Sequence, residues 1–151
     1  MITTNELKAR LMASTFFGGL SDIEFSKIIA SSAVVNFSAG QEIFKAGDAS
    51  DALYILIKGE LEVRSNDNIL STIYENGVVG EMGVFTHINR TASVKVVKDS
   101  LLYRTPADKI HELMEKESLI GMKLYRNVTK VLSEHLQRSN LVLEFYDINR
   151  A

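Results

Sequence analysis

Glu81 and Arg90 are the residues of this 151-residue chain whose types and spacing best suit a small anionic ligand. They lie in the run Gly80-Glu81-Met82-Gly83-Val84-Phe85, then Thr86-His87-Ile88-Asn89, then Arg90-Thr91-Ala92-Ser93. A glutamate offers two acceptor oxygens, which suits a hydroxyl donor such as that of a ribose. An arginine keeps its charge and presents a planar fork of donors, which suits phosphate oxygens. Residues 82–85 are long enough for one helical turn, whose unpaired N–H groups face an anion. Gly83 leaves room for a ligand against that backbone, and Thr91 adds a hydroxyl. Together these groups suit a sugar joined to a phosphate of single charge. The competing arrangement is a plain ion pair, in which Glu81 and Arg90 hold each other and stabilise a turn.

The chain around these residues changes character twice. Residues 5–13 carry Leu7, Leu11 and Met12 at helical spacing, with Thr3 or Thr4 as the cap. Phe16-Phe17-Gly18-Gly19-Leu20 breaks that helix. Ser21 and Glu24 have capping-box spacing, and the helix they start runs to about Ser31, burying Ile23, Phe25, Ile28 and Ile29. From Ala33 the pattern becomes short apolar segments broken by glycine: 34–37, 42–44, 53–57, 61–63, 69–74, 92–97 and 101–105. Lys58-Gly59 reads as a two-residue hairpin turn. Many short strands without intervening helices predict an antiparallel β-roll of the jelly-roll kind. Pro106, the only proline, follows Thr105 as a helix cap and predicts a helix over 107–115. A longer helix follows over 118–145, with apolar positions at Leu119, Met122, Tyr125, Val128, Leu132, Leu136 and Leu143. The fold class is thus mixed and mainly β, in one domain: N-terminal helices in 1–33, the roll in 34–105, and C-terminal helices in 106–151.

Hydrophobic residues at 46% and charged ones at 24% describe a soluble globular chain rather than a disordered one. A net charge of −2 supplies no general attraction to nucleic acid, and none is expected as a partner. The absence of cysteine excludes disulfides and thiolate metal sites. Neither a signal-type apolar start nor an apolar run of membrane length occurs, so a cytoplasmic protein without a membrane partner is expected. His87, His111 and His135 lie far apart in sequence with no His-x-His pair, and are expected to be ordinary loop or helix residues. No Gly-x-Ser-x-Gly elbow is present. The expectation is a protein that is not an enzyme and carries no metal or cofactor.

Between Phe17 and Asn140 the chain resembles a cyclic nucleotide-binding domain. Phe17-Gly18-Gly19-Leu20-Ser21 is similar to the way the family begins its first helix. Gly40-x-x-Ile43-Phe44-x-x-Gly47-Asp48-x-x-Asp51-x-x-Tyr54-Ile55-Leu56-x-x-Gly59-x-x-x-Val63 resembles its strand-and-turn signature, whose glycines are expected to take positive φ at roll corners. Gly80-Glu81-Met82-Gly83-Val84 and Arg90-Thr91-Ala92 resemble the family's phosphate-binding cassette, here residues 80–92, with a four-residue spacer of a length the family uses. Residues 90–94 are especially similar to the version in hyperpolarisation-activated channels. Asn89 departs from the proline that many members place there, which loosens the turn without removing a ligand group.

The resemblance implies a cyclic nucleotide, cAMP favoured over cGMP, held by Gly80, Glu81, Met82, Gly83, Arg90, Thr91 and Ala92. It also implies a purine covered by the long helix. Ser139 and Asn140 fall where catabolite-activator-like regulators place a Thr-Ser pair against adenine; the competing expectation is two polar residues on a solvated face. Tyr125, Val128, Leu132, His135, Ser139 and Val142 alternate in steps of three and four, a coiled-coil-like seam interrupted at His135 and Ser139. That seam fits a homodimer, against the alternative that the same face packs on the roll. The chain stops at Ala151, too soon for a helix-turn-helix domain. The implied role is a stand-alone sensor that signals to a separate protein partner through its C-terminal helix. The alternatives are an interaction module that has lost its ligand, and a β-roll enzyme.

Overall fold

Thr3 accepts the Glu6 N–H at 3.2 Å and caps the first helix, α1 (Thr4–Met12). A 3₁₀ turn (Thr15–Phe17) then buries both phenylalanines. Ser21 and Glu24 form the expected capping box and open α2 (Asp22–Ile29). Of the four residues expected to be buried in α2, Phe25 and Ile28 are; Ile29 is partly covered and Ile23 is 71% exposed. Ile23 and Phe25 are two residues apart, about 200° around a helix, so they cannot share a face. The computed structural model describes residues 2–150, apart from the side chains of 140–143, 145–146 and 150.

The middle of the chain is one six-stranded, wholly antiparallel sheet: β1 (Ala33–Phe37), β2 (Glu42–Phe44), β3 (Ala52–Ser65), β4 (Asn68–Ile73), β5 (Val78–Val79) and β6 (Ser93–Pro106). The strand order is β1-β6-β3-β4, with β2 added on β6 and β5 on β3. The short helix α3 (Glu81–Thr86) interrupts the sheet between β5 and β6; α4 (Ala107–Lys116) and α5 (Ser118–Arg150) follow it. The expected antiparallel roll with helices before and after it is therefore the observed fold.

Three local expectations are corrected. Lys58-Gly59 is not a hairpin turn, because β3 runs straight through it. Gly59 has φ 118°, and a Cβ there would lie 2.1 Å from Ser100 Oγ, so the glycine answers the close approach of β6. Register shifts between Leu56 and Leu61 bend the β3–β6 pair here and help the sheet roll up. Segments 92–97 and 101–105 belong to one bent strand, β6. Pro106, not Thr105, is the N-cap of α4; the Thr105 hydroxyl instead accepts from Ser32 Oγ at 3.0 Å.

Alternate residues of β3 feed two separate apolar clusters, as the period of two requires. Leu53, Ile55 and Ile57 join Phe16, Phe17, Phe25 and Leu124 between the sheet and the helices. Ala52, Tyr54 and Leu56 join Leu61, Ile73, Val79 and Val94 inside the roll. On α5 the buried face is Ile120, Leu124, Asn127, Val128 and Val131. Of the expected apolar stripe, Val128 is buried and Leu132 packs on the core, whereas Leu119, Met122, Tyr125 and Leu136 are exposed, Tyr125 with its ring edge against Phe85. Asn127 lies on the packed face: its amide donates to the carbonyls of Phe16 at 2.8 Å and Gly18 at 2.9 Å, which puts a polar residue at its centre. Leu143 and Val142 lie outside the described side chains. Among the described residues no helix is long and apolar enough to cross a membrane.

Candidate functional site

β5 delivers the chain to Gly80, which takes φ 85° and starts α3 at Glu81. A Cβ at Gly80 would stand 2.6 Å from Arg90 Nη1 and 3.0 Å from the Ala52 carbonyl, so only glycine lets the arginine pass beneath. The backbone of Arg90 is clamped to the β2–β3 loop: its N–H donates to Asp48 O at 2.8 Å, and its carbonyl accepts from Gly47 N–H at 2.7 Å. From that anchor the guanidinium lies 3.9 Å from the Phe44 ring centroid. Nη1 donates to the Gly80 carbonyl at 2.9 Å, Nη2 donates to the Ala52 carbonyl, and Nη2 is 3.7 Å from Asp51 Oδ1. Nε is buried without a hydrogen-bond partner. Burial pulls the Arg90 pKa down, and Asp51 opposes that shift; an arginine remains charged throughout the ordinary pH range.

Glu81 is only 5% exposed. Among the described residues it makes no ion pair with Arg90, so the simple turn-stabilising pair is not how these two charges are held. Burial pushes the Glu81 carboxyl up to about 7, against the opposing pull of its own backbone N–H and of Arg90. The imidazole of His135, on α5, stands with Nδ1 3.8 Å from Glu81 Oε1. Burial lowers the His135 pKa, and nearby Arg138 adds to that.

Gly80, Glu81, Met82, Gly83, Arg90, Thr91 and Ala92 all line one cavity of about 130 Å³. Phe44, Ile73 and Val94 give it an apolar floor inside the roll, and His135 reaches into its lining from α5. Gly83 has a steric reason of its own: a Cβ there would lie 1.9 Å from Ser50 Oγ and 2.9 Å from Ile88 O. Met82 and Thr91 are exposed at the rim, with Thr91 Oγ1 3.9 Å from Met82 Sδ.

Ser139 is exposed, its hydroxyl donates to the His135 carbonyl at 3.1 Å, and it does not line this cavity. The side chain of Asn140 lies outside the described residues. His87 and His111, distant in sequence, come together with ring centroids 4.4 Å apart, and His111 Nε2 is 2.8 Å from the Val84 carbonyl. No group of three metal-capable side chains occurs among the described residues. Phe44 and Asp51 stand in the strand-and-turn signature and His135 in a helix, and none of the three is marked by the sequence as a site residue. For His135 no local signal exists, since only the packing of α5 on α3 brings it to Glu81.

The model of the cyclic nucleotide-binding domain family matches residues 34–117, more than half of the chain and the whole of the cavity's cassette. The chain belongs to that family. Its fold is similar to that of a putative cyclic nucleotide-binding protein from Geobacter metallireducens, at 22% identity and a TM-score of 0.78, covering 90% of this chain and 99% of that one. A cyclic nucleotide-binding domain from Methylobacillus flagellatus is similar at 18% identity and a TM-score of 0.76, covering 89% and 79%. Among curated proteins, Lysophospholipase nte1 of Aspergillus fumigatus is 28% identical over 109 residues, which is 69% of this chain and 7% of that protein. The chain thus corresponds to a small part of that relative.

Proposed function

We propose that the cavity binds a 3′,5′-cyclic nucleotide and that the chain acts as a non-enzymatic, cytoplasmic sensor. The observation that carries this is the convergence of Glu81 and Arg90 on one cavity, each buried and neither paired with the other. A cyclic phosphate ties up the 3′ and 5′ oxygens, so the sugar has one free hydroxyl, at 2′, to donate to Glu81. The phosphate carries one negative charge, matched to the fixed positive charge of Arg90 in the cavity lining. Hydrogen bonds to charged groups are worth roughly 1.5–3 kcal/mol each. A carboxyl shifted by burial, near a fixed cation in a cleft, also marks a candidate functional site.

A cavity of about 130 Å³ takes the sugar and phosphate and leaves the base at its mouth, beside α5. The resemblance of Ser139 and Asn140 to the Thr-Ser pair of catabolite-activator-like regulators makes cAMP the first candidate and cGMP the second. Ser139 stands one turn beyond His135 on that helix, outside the cavity lining. Signal to a separate protein partner then passes through α5. Of the seam expected to serve a homodimer, Val128 and Leu132 pack in the core, Tyr125 stands against Phe85 and His135 lines the cavity, which favours the alternative that this face packs on the roll.

One observation favours a second function, an interaction module without ligand. Both terminal nitrogens of Arg90 already donate to backbone carbonyls, which makes the arginine a clamp for the loop. Thermal denaturation separates the two. A nucleotide at 100 times its dissociation constant stabilises the fold by roughly 2.7 kcal/mol, so a clear upward shift with cAMP or cGMP is expected. No shift with either would leave the interaction module standing.

A further inference from the structure

Glu81 and His135 come from elements far apart in the chain, yet both face the same cavity. Their nearest atoms, Oε1 and Nδ1, are 3.8 Å apart, which is beyond hydrogen-bonding distance. Among the described residues neither side chain has another hydrogen-bond partner, apart from the Glu81 N–H that supports its own carboxylate. A hydroxyl both donates and accepts. One hydroxyl oxygen at about 2.8 Å from each atom fits across this gap.

We propose that His135 is a second contact for the sugar: the 2′-hydroxyl donates to the Glu81 carboxylate and accepts from the Nδ1–H of His135. This role depends on nucleotide binding at this cavity. It names the residue that makes the sugar a joint between the roll and α5. It also assigns a discrimination, since a sugar lacking that hydroxyl leaves a buried carboxylate and an imidazole facing an empty gap. The groups around the pair suit a neutral imidazole donor. Burial and Arg138 both disfavour a charged His135, with Glu134 opposing them. Burial likewise pushes the Glu81 carboxyl up to about 7 against its own backbone N–H and Arg90, and in either protonation state it keeps an oxygen that accepts.

The test is calorimetric titration of cAMP and 2′-deoxy-cAMP into the wild type, His135→Ala, His135→Asn and Arg90→Ala, each checked for folding by far-ultraviolet spectra. Removing one such hydrogen bond is expected to weaken cAMP binding on the order of tenfold in His135→Ala. Binding of 2′-deoxy-cAMP should stay within about twofold, because the lost bond is one that ligand never makes. His135→Asn keeps an N–H near the position of Nδ1 and should recover part of the preference for the hydroxyl. A uniform loss for both nucleotides would make His135 a packing residue, and unchanged affinity for both would remove it from the site. In either case Arg90-dependent binding would leave the cavity's function intact. Binding of neither nucleotide by the wild type would end both ideas together.

Discussion

The two apolar clusters on either side of β3 treat their buried polar groups differently. On the helical side, Asn127 spends its amide donors on Phe16 and Gly18, and the Tyr103 hydroxyl donates to the Ile29 carbonyl at 3.1 Å. Ser14, with an unpartnered hydroxyl, is the exception there. At the mouth of the roll, among the described residues, Glu81 has no lysine or arginine within ion-pair distance and Arg90 keeps an unpaired Nε. Unfinished hydrogen bonding is costly in a buried place. The helical side is built for stability. The roll's mouth gives some of that stability up, and a bound nucleotide would restore it.

The comparison breaks first where the stabilising side is emptied. Phe16 is fully buried and makes edge contacts with Phe17 at 5.1 Å and Phe85 at 6.1 Å. Phe16→Ala should cost about 3–5 kcal/mol in denaturant unfolding. A cost under about 1 kcal/mol would mean that this cluster is not where the stability lies.

Glu81→Gln should act with the opposite sign. The folded protein holds the Glu81 proton up to about 7, against an ordinary value of 4.5. The stability linked to that proton is fully present below 4.5 and is lost as pH rises through about 7. The loss above pH 7 is roughly 3 kcal/mol. Glutamine carries no charge to bury, so the variant should melt higher than the wild type at pH 8, with the gap closing toward pH 5, while binding nucleotide less well. His135, with its pKa lowered, works in reverse: its stability is lost as pH falls through its folded value. Both proteins carry it, so the comparison isolates Glu81. Melting curves that stay parallel across this range would show that Glu81 is not held protonated.

Asn127→Ala should sharpen the contrast from the other side, with a smaller effect. It strands the Phe16 and Gly18 carbonyls and should cost roughly 1–3 kcal/mol without changing the nucleotide affinity of the folded protein. A changed affinity would show that the two clusters are coupled.

What was legible in the sequence was local. The capping box at Ser21 and Glu24 involves residues within one turn, and the glycine-bounded strands announce a roll. The groups from Gly80 to Ala92 sit close together in sequence, so spacing joined to the family resemblance was enough to name them as one set, and they line one cavity. What failed depends on distant partners. Gly59 reads as a turn until Ser100 is seen packed against it. The buried face of α5 is centred on a polar residue, so hydrophobic periodicity marked only part of it. His135 looked like an interruption in a seam, because nothing near it in sequence names Glu81.

The central claim is that Glu81 and Arg90 form a nucleotide site and not only a structural corner. Its most direct test is calorimetry of cAMP and cGMP against the wild type and a folded Arg90→Ala variant at neutral pH. Saturable binding by the wild type, weakened by at least about tenfold in Arg90→Ala, is the predicted result. No binding of either nucleotide, or equal affinity in the folded variant, would contradict it.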